Sequence, residues 1–298
     1  MVVTDQLWID RHDALERIEA AKVDEAYKQV ARDLVRDGLS VLRGWHDKAI
    51  CGKVIEDYKA WCAQNPDAVA ANRDALGHEK RLCNFHHWSA SALSIGQNPR
   101  IIELLDFLFG HEAGIYTSLT FKYGTQQPSH RDTPHFATWP PNYFVGVWTA
   151  LDDVHPDSGP LFYHKYGHRF PVDPQRFWQQ SADAKPGASK AEQCLRALDL
   201  YNGYIGQESA ALGEPVMPQM RAGDTIIWHP QTPHGGSPAR NPELTRWSIV
   251  FHCAPVDIQV HQHDRFFTHH KQDAPPDRYG FVDRGGRRVA LAGDVGFM

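Results

Sequence analysis

The chain has 298 residues, of which 42% are hydrophobic and 22% charged, a composition typical of a globular protein with a large core rather than of a disordered chain. Its formal net charge of −5 provides no basic field, so we expect neither nucleic acid nor anionic membranes as partners. The five cysteines form no CxxC pair, and we find neither a signal-peptide profile nor an apolar run of about 18 residues. These features predict a cytoplasmic protein.

Helical patterns occupy the first third of the chain. Apolar residues recur at helical spacing over residues 23–38, and Gly38 stands where that helix should stop. After a short predicted strand, Asp47 is the expected cap of a second helix. Asn98 is the expected cap of a third helix, which Gly110 should end. The sequence therefore predicts several helices before the first long strand.

The remainder of the chain consists mainly of short aromatic or β-branched runs separated by Gly, Pro and Asp, as is typical of strands. These runs are residues 115–124, 143–153, 159–167, 224–230 and 246–255. Many short strands favour a double-sheet barrel or jelly roll. The predicted fold class is mainly β with flanking helices (α+β): a double-stranded β-helix, or cupin-like jelly roll, with N-terminal helices and a helical lid insertion.

We expect one domain over residues 1–298. It comprises a helical part of about 1–110, a jelly-roll core of about 111–255 and a C-terminal extension, 256–298. Within the core, residues 171–215 are polar, partly helical and too long for a hairpin. Long connections of this kind are often lids or binding elements, although a surface segment that merely covers a sheet is an equal alternative.

The C-terminal extension carries two further patterns. Gly285 and Gly286 predict a hairpin turn. Residues 260–271 contain four histidines, but their spacing specifies no ligand geometry, so a surface role is favoured over a second metal site.

His130 and Asp132 are spaced so that a strand would project both side chains from one face. Alone this pair is a weak signal, because a buried histidine bonded to a nearby aspartate is usually structural. A third ligand is offered by His229 or His234, which follow the end of an apolar strand. Two histidines and a carboxylate can occupy one face of an octahedron around Fe(II), leaving positions for cosubstrate and oxygen.

Arg246 lies at the start of the final predicted core strand, where alternation would place it on one face with Ser248 and Val250. A guanidinium inside an apolar barrel is unfavourable unless an anion meets it. A dicarboxylate could do so with two parallel hydrogen bonds.

The sequence resembles the iron- and 2-oxoglutarate-dependent oxygenases of the phytanoyl-CoA dioxygenase family over about residues 30–255. The motifs that carry the resemblance occur in the family's usual order: "DGLSVLRG", "LLDFLFG", "SHRD", "VWTALDD", "DSGPL", "PHGGSPARN" and "TRWSIV". The resemblance implies a non-haem iron dioxygenase that uses O2 and converts 2-oxoglutarate to succinate and CO2. It further implies that this reaction is coupled to hydroxylation of an unactivated C–H bond of a small-molecule substrate.

Matched residue by residue, the resemblance implies that His130, Asp132 and His234 ligate Fe(II), and it favours His234 over His229. It implies that Arg246 holds the distal carboxylate of 2-oxoglutarate. The carboxylate of Asp132 also argues for oxygenation, because halogenases of this architecture carry a small residue at that position.

Further residues are expected around the cosubstrate and the substrate. By the resemblance Trp148, Thr120 and Ser237 lie near the cosubstrate, although "HGGS" is one residue longer than the family's commoner "HGS". The residues for which a substrate-binding role is weighed against a packing or solvated role are Asn84, His86, His87 and His135. The aromatics expected simply to fill the core are Trp139, Trp228 and Trp247.

Two functions of other classes remain open at this point. One is a cupin-type metal-dependent dioxygenase or isomerase that does not use 2-oxoglutarate, against which Arg246 argues. The other is a catalytically silent jelly-roll binding protein, against which the intact set of candidate ligands argues.

Overall fold

The structure is a computed structural model that describes residues 6–261, 263–268 and 280–298. The helices of these residues are α1 (Ala14–Ala20), α2 (Glu25–Asp37), α3 (Lys48–Gln64), α4 (Pro66–Ala71), α5 (Ala90–Gly96), α6 (Pro99–Phe109), α7 (Gln175–Ala184), α8 (Lys190–Ala211) and α9 (His263–Thr268). The strands are β1 (Leu39–Leu42), β2 (Leu82–Cys83), β3 (Ala113–Phe121), β4 (Ala137–Thr138), β5 (Val145–Ala150), β6 (Leu161–Tyr163), β7 (Thr225–Trp228), β8 (His234–Gly236), β9 (Ser248–Pro255), β10 (Val260–His261), β11 (Phe281–Arg284), β12 (Arg287–Ala290) and β13 (Gly296–Phe297).

The three helices predicted from the sequence are confirmed as α2, α3 and α6. Asp47 and Asn98 each accept a hydrogen bond from the backbone N–H two residues on, which satisfies one free donor of the first turn. Gly38 and Gly110 follow α2 and α6 with φ of 82° and 67°, a left-handed conformation that glycine adopts without strain. The shorter helices α1, α4 and α5 were not predicted.

A large sheet forms the back of the molecule. Its strand order is β1-β7-β5-β9-β3-β12-β11, with β2 paired to β3 and β13 paired to β2, so that it has nine strands among the described residues. All pairs are antiparallel except β12 with β3. One face packs against the N-terminal helices and buries a main core that includes Val147, Ile249 and Phe251.

The opposite face of the large sheet faces a small sheet formed by β6 and β8. Isolated bridges between His130 and His234 and between Tyr163 and Val216 widen this small sheet. Between the two sheets lies a second core, to which Phe121 of β3 contributes. This double-sheet arrangement confirms the predicted jelly-roll fold with flanking helices.

Residues 171–215 are helical, as expected, and contribute α7 and α8. Ser189 and Glu192 form a reciprocal capping box at the start of α8. The two helices pack with α9 around a separate apolar cluster that includes Tyr201 and Phe267.

The C-terminal residues return to the large sheet. Gly285 and Gly286, with φ of 63° and 79°, connect β11 and β12 as the predicted hairpin. The last strand, β13, pairs with β2 and extends the sheet beside β3. Within the described part of the chain, no helix has the length and apolar character needed to span a membrane.

Candidate metal centre and its cavity

Three candidate ligands from different parts of the sequence converge between the two sheets. One donor atom from each of His130, Asp132 and His234 lies within 4.8 Å of the others. The backbone brings them together, because His130 and His234 exchange two N–H···O hydrogen bonds of 3.0 Å. His130 makes only this isolated bridge and Asp132 lies in a bend, so the strand expected here does not form, although the two side chains still converge.

Both imidazoles are oriented by backbone carbonyls. Nδ1 of His130 lies 2.9 Å from Pro128 O, and Nδ1 of His234 lies 2.9 Å from Thr232 O. Because a carbonyl oxygen only accepts, each Nδ1 carries the proton, and a neutral ring then presents the lone pair of Nε2. Burial is the main cause that lowers the pKa of His130 to about 4, so its ring is neutral at ordinary pH.

Asp132 is held by a tryptophan. The indole N–H of Trp228 donates to Asp132 Oδ2 at 2.9 Å, and Nε2 of His252 lies 3.5 Å from the same oxygen. Burial alone would raise the pKa of Asp132, but the surrounding histidines outweigh it and hold that pKa well below its usual value. The carboxylate is therefore ionised and orientated before any ligand binds.

A glycine makes this contact possible. In the register of the large sheet, Gly146 of β5 pairs with Trp228 of β7 on one side and with His252 of β9 on the other. A Cβ atom at Gly146 would lie 2.2 Å from Cε2 of Trp228, so the missing side chain provides the space that the indole occupies. Trp228 was predicted only as a core aromatic; it is buried, but its N–H also supports the candidate ligand.

His229, the alternative third ligand, is directed elsewhere. Its Nε2 lies 2.7 Å from Oδ1 of Asp10, near the N-terminus, and it is not part of the group of donor atoms. The geometry therefore brings His234, and not His229, to His130 and Asp132.

Arg246 lies in the same cavity and has no anionic partner among the described residues. Its side chain is 4% exposed, and Nη1 donates to Gly159 O at 3.3 Å, while Nε has no acceptor. Among the described residues, no carboxylate lies within ion-pair distance of it. Burial lowers the pKa of Arg246 to about 10, so the guanidinium stays charged at neutral pH. A buried, uncompensated cation of this kind fits an anionic ligand.

The candidate ligands and Arg246 line one cavity of about 470 Å³, which is within the range of small-molecule sites. Trp148 lines it, and its ring centre lies 5.7 Å from the Arg246 guanidinium. Thr120 does not line it. Leu119 and Phe121, on either side of it in β3, face the cavity, so by alternation Thr120 faces the opposite side of the sheet. Ser237 also lies outside, where its hydroxyl donates to Pro160 O at 2.9 Å.

A family model of phytanoyl-CoA dioxygenase matches residues 22–247. The chain belongs to the phytanoyl-CoA dioxygenase family. This match confirms the family recognised from the sequence motifs and the prediction of a dioxygenase-type enzyme. No curated protein matches the sequence.

Solved structures of low sequence identity share the fold. A crystal structure of the epimerase SnoN with Fe3+, alpha-ketoglutarate and nogalamycin RO matches with a TM-score of 0.61 and 18% identity, covering 89% of this chain and 98% of that chain. The carbocyclase SnoK from nogalamycin biosynthesis matches with a TM-score of 0.61 and 14% identity over 90% and 97% of the two chains. EctD from S. alaskensis, with 2-oxoglutarate and 5-hydroxyectoine, matches with a TM-score of 0.60 and 17% identity over 85% and 84%.

The residues considered for substrate binding in this family member separate into two groups. Asn84 and His135 line the cavity, whereas His86 and His87 do not. His86 is 3% exposed, and its Nδ1 lies 2.6 Å from the hydroxyl of Ser118 behind β3, which is a packing position.

The structure bears on two expectations about the surroundings of the cavity. None of the residues 171–215 lines the cavity, and the lid role of this helical insertion stays a prediction. The expected surface role of residues 260–271 is wrong for the described histidines there: His261 is 5% exposed, and His263 of α9 lines the cavity. His269 and His270 lie outside the described residues.

Proposed function

We propose that this protein is an Fe(II)- and 2-oxoglutarate-dependent oxygenase that couples oxidative decarboxylation of 2-oxoglutarate to hydroxylation of an unactivated C–H bond of a small molecule. One observation carries the proposal. A single cavity joins the donor atoms of His130, Asp132 and His234 to the guanidinium of Arg246, which has no anionic partner among the described residues.

The three converging residues are the proposed metal ligands. Two imidazoles with free Nε2 atoms and one carboxylate provide the donor set that non-haem Fe(II) oxygenases use. The backbone bridge between His130 and His234 fixes the separation of the two rings, and the Trp228 indole fixes the carboxylate of Asp132. The chain thus provides the ligands in a prearranged form, which reduces the ordering that binding requires.

Arg246 is the proposed anchor of the distal carboxylate of 2-oxoglutarate. Its free Nε and its Nη groups can donate two parallel hydrogen bonds to a carboxylate. Trp148 and Phe121, whose ring centres each lie 5.7 Å from the guanidinium, surround it with apolar surface. Because these walls exclude water, the attraction between Arg246 and a carboxylate is stronger than at a protein surface. The cosubstrate roles predicted for Thr120 and Ser237 are not part of the proposal, since neither lines the cavity.

Fe(II), 2-oxoglutarate and O2, when bound, supply the oxidising chemistry. The chain's own task is to hold the reacting groups in place and to keep bulk water away from them. Asp132 favours oxygenation as the outcome, since its carboxylate occupies the position that family halogenases leave to a halide.

The decisive experiment is an anaerobic titration of the apoprotein with Fe(II) and then 2-oxoglutarate, monitoring the weak visible charge-transfer band of the chelate. We expect the band in the wild-type protein and in the control Arg240→Leu, which changes an arginine with an 83% exposed side chain. We expect Asp132→Ala to lose iron, and Arg246→Leu to retain iron but lose the band at the same 2-oxoglutarate concentration.

Iron binding by the wild type without the band would contradict the proposal and indicate a cupin-type metalloenzyme that does not use 2-oxoglutarate. Absence of iron binding would indicate a catalytically silent binding protein. When the band forms, succinate release upon admission of O2 provides a screen for substrates. A product that gains one oxygen atom then establishes hydroxylation, whereas a product without added oxygen refutes it.

A further inference from the structure

Arg81 is directed into the cavity by the pairing of β2. Leu82 and Cys83 pair with Thr120 and Leu119 of β3, and Leu82 is fully buried in the main core. By alternation Arg81 and Cys83 face the other way, and both line the cavity. The backbone of Arg81 is fixed as well, because its carbonyl accepts a 3.0 Å hydrogen bond from the N–H of Met298, next to β13.

No carboxylate of the described residues pairs with the Arg81 guanidinium. Among the described residues that line the cavity, Asp132 has the one side-chain carboxylate, and it belongs to the group of candidate metal ligands; the last residue, Met298, lines the cavity as well. The neighbouring polar side chains are already satisfied: Thr117 donates to Asn84 Oδ1 at 2.6 Å, and the Asn84 amide donates to Gly293 O at 3.1 Å. Asn84 therefore attaches the C-terminal segment to β3, and among the described residues no side-chain carboxylate forms an ion pair with Arg81.

Two histidines complete this part of the cavity. The rings of His135 and His263 lie 6.1 Å apart, and both residues line the cavity. His263 begins α9, which the fully buried Phe267 anchors in the helical cluster of α7 and α8. The N–H of His135 donates to Asp132 O at 2.9 Å, so its loop is fixed beside the metal centre. Arg81 lines the same cavity as these two histidines.

Arg81 and Arg246 approach the cavity from different sides of β3. Arg81 precedes β2, which pairs with one edge of β3, whereas Arg246 precedes β9, which pairs with the other edge. If Arg246 binds 2-oxoglutarate, Arg81 remains available to a second ligand.

We propose that Arg81, together with His135 and His263, binds an anionic group of the substrate, a carboxylate or a phosphate. This inference rests on the proposed function, which assigns Arg246 to the cosubstrate and leaves this part of the cavity to the substrate. The guanidinium supplies a permanent charge and a planar pair of donors, and each imidazole can supply an N–H donor. The substrate is then fixed at its anionic group beside the metal centre, and neutral analogues of the same shape are discriminated against.

The test measures binding of three probes of similar shape to the protein loaded with Fe(II) and 2-oxoglutarate without oxygen. The probes are phenylacetate, phenyl phosphate and the neutral phenylacetamide, and the readout is isothermal titration calorimetry. With 2-oxoglutarate already present, the Arg246 end of the cavity is not available to the probes. The variants are Arg81→Gln and His263→Gln, and Arg240→Gln is the surface control.

We expect at least one anion to bind more tightly than phenylacetamide. Arg81→Gln should lower the affinity for that anion by about tenfold or more, as expected when hydrogen bonds between charged groups are lost. His263→Gln should weaken it less, and Arg240→Gln should not change it. A preference for phenylacetate assigns a carboxylate, and a preference for phenyl phosphate assigns a phosphate; either supports the inference.

The inference is overturned if the anions and the amide bind with equal affinity. It is also overturned if none of the three probes binds. An equal loss of affinity in Arg81→Gln and Arg240→Gln overturns it as well. The visible band of the loaded protein reports separately on the proposed function. Its presence together with any of these outcomes refutes the role of Arg81 alone, whereas its absence refutes the proposed function.

Discussion

Replacing Trp228 with phenylalanine tests whether the orientation of Asp132 contributes to iron affinity. The change removes the indole N–H that Asp132 Oδ2 accepts at 2.9 Å, while an aromatic ring remains in the second core. A hydrogen bond to a buried charged group contributes about 1.5–3 kcal/mol. Loss of a hydrogen-bonding partner of a metal ligand commonly lowers metal affinity about 10- to 100-fold, or about 1.4–2.8 kcal/mol. We therefore expect Trp228→Phe to bind Fe(II) about 10- to 100-fold more weakly.

A second variant should produce the same effect without touching the tryptophan. In Gly146→Ala, the new Cβ would lie 2.2 Å from Cε2 of Trp228, so the indole must move away from Asp132. Both changes perturb packing, and each therefore needs a matched control. Trp247→Phe removes an indole from the main core, where it packs edge-on against Tyr58 at 5.1 Å. Gly52→Ala adds a methyl group on α3 with no atom within 4 Å.

The assay is an anaerobic Fe(II) titration, with thermal unfolding of the metal-free proteins measured in parallel. Trp228→Phe and Trp247→Phe should both be less stable than the wild type, because each removes part of a buried aromatic side chain, but only the former should lose iron affinity. Gly52→Ala should match the wild type in iron affinity. Equal iron affinities in Trp228→Phe and Trp247→Phe would refute the reasoning.

Three further predictions concern stability. Gly38→Ala should destabilise the fold by at least about 1 kcal/mol in urea unfolding, because at φ of 82° the new Cβ would lie 2.5 Å from His168 Nδ1; an unchanged midpoint would show that the turn adapts. Burial would raise the pKa of Asp224, but hydrogen bonds from backbone N–H groups and Arg43 hold it below 3.8, so Asp224→Asn should destabilise by about 1.5–3 kcal/mol at neutral pH. That difference should shrink as the pH falls below 3.8, and a constant difference would contradict the assignment. Burial lowers the pKa of His86 from 6.5 to about 3, so the ring takes up a proton on unfolding and stability should decrease as the pH falls below 6.5. His86→Gln should reduce this dependence of stability on pH. An unchanged dependence would contradict the role assigned to His86.

The sequence predicted the parts of the site that depend on short spacing. His130 and Asp132 are two residues apart and converge as expected, although an isolated bridge and a bend replace the expected strand. Strand alternation placed Arg246 and Val250 on one face, and both line the cavity. One more step of two along β9 reaches His252, which also lines it, so this residue could have been found from the sequence.

Residues that reach the cavity through long-range packing were not predictable in this way. His263 enters it because α9 is anchored by Phe267 against α7 and α8, a contact between segments that are distant in sequence. The spacing of the histidines over residues 260–271 does not indicate this packing of Phe267, so the sequence favoured a surface role. The same cluster fixes residues 171–215, whose apolar side chains pack with α9.

The role of Gly146 depends on the register of the strands and could not be predicted from the sequence. Within β5 a glycine between two valines is unfavourable for a strand, and its neighbours give no reason for it. The reason appears only across three strands, where Gly146 stands between Trp228 and His252 and leaves the space through which the indole reaches Asp132. Alternation assigns each residue to a face, but only the pairing of β5 with β7 and β9 brings these three residues into one row. The support of the candidate metal ligand is thus a property of strand register, because the glycine that weakens its own strand permits the contact made by its neighbour in the next strand.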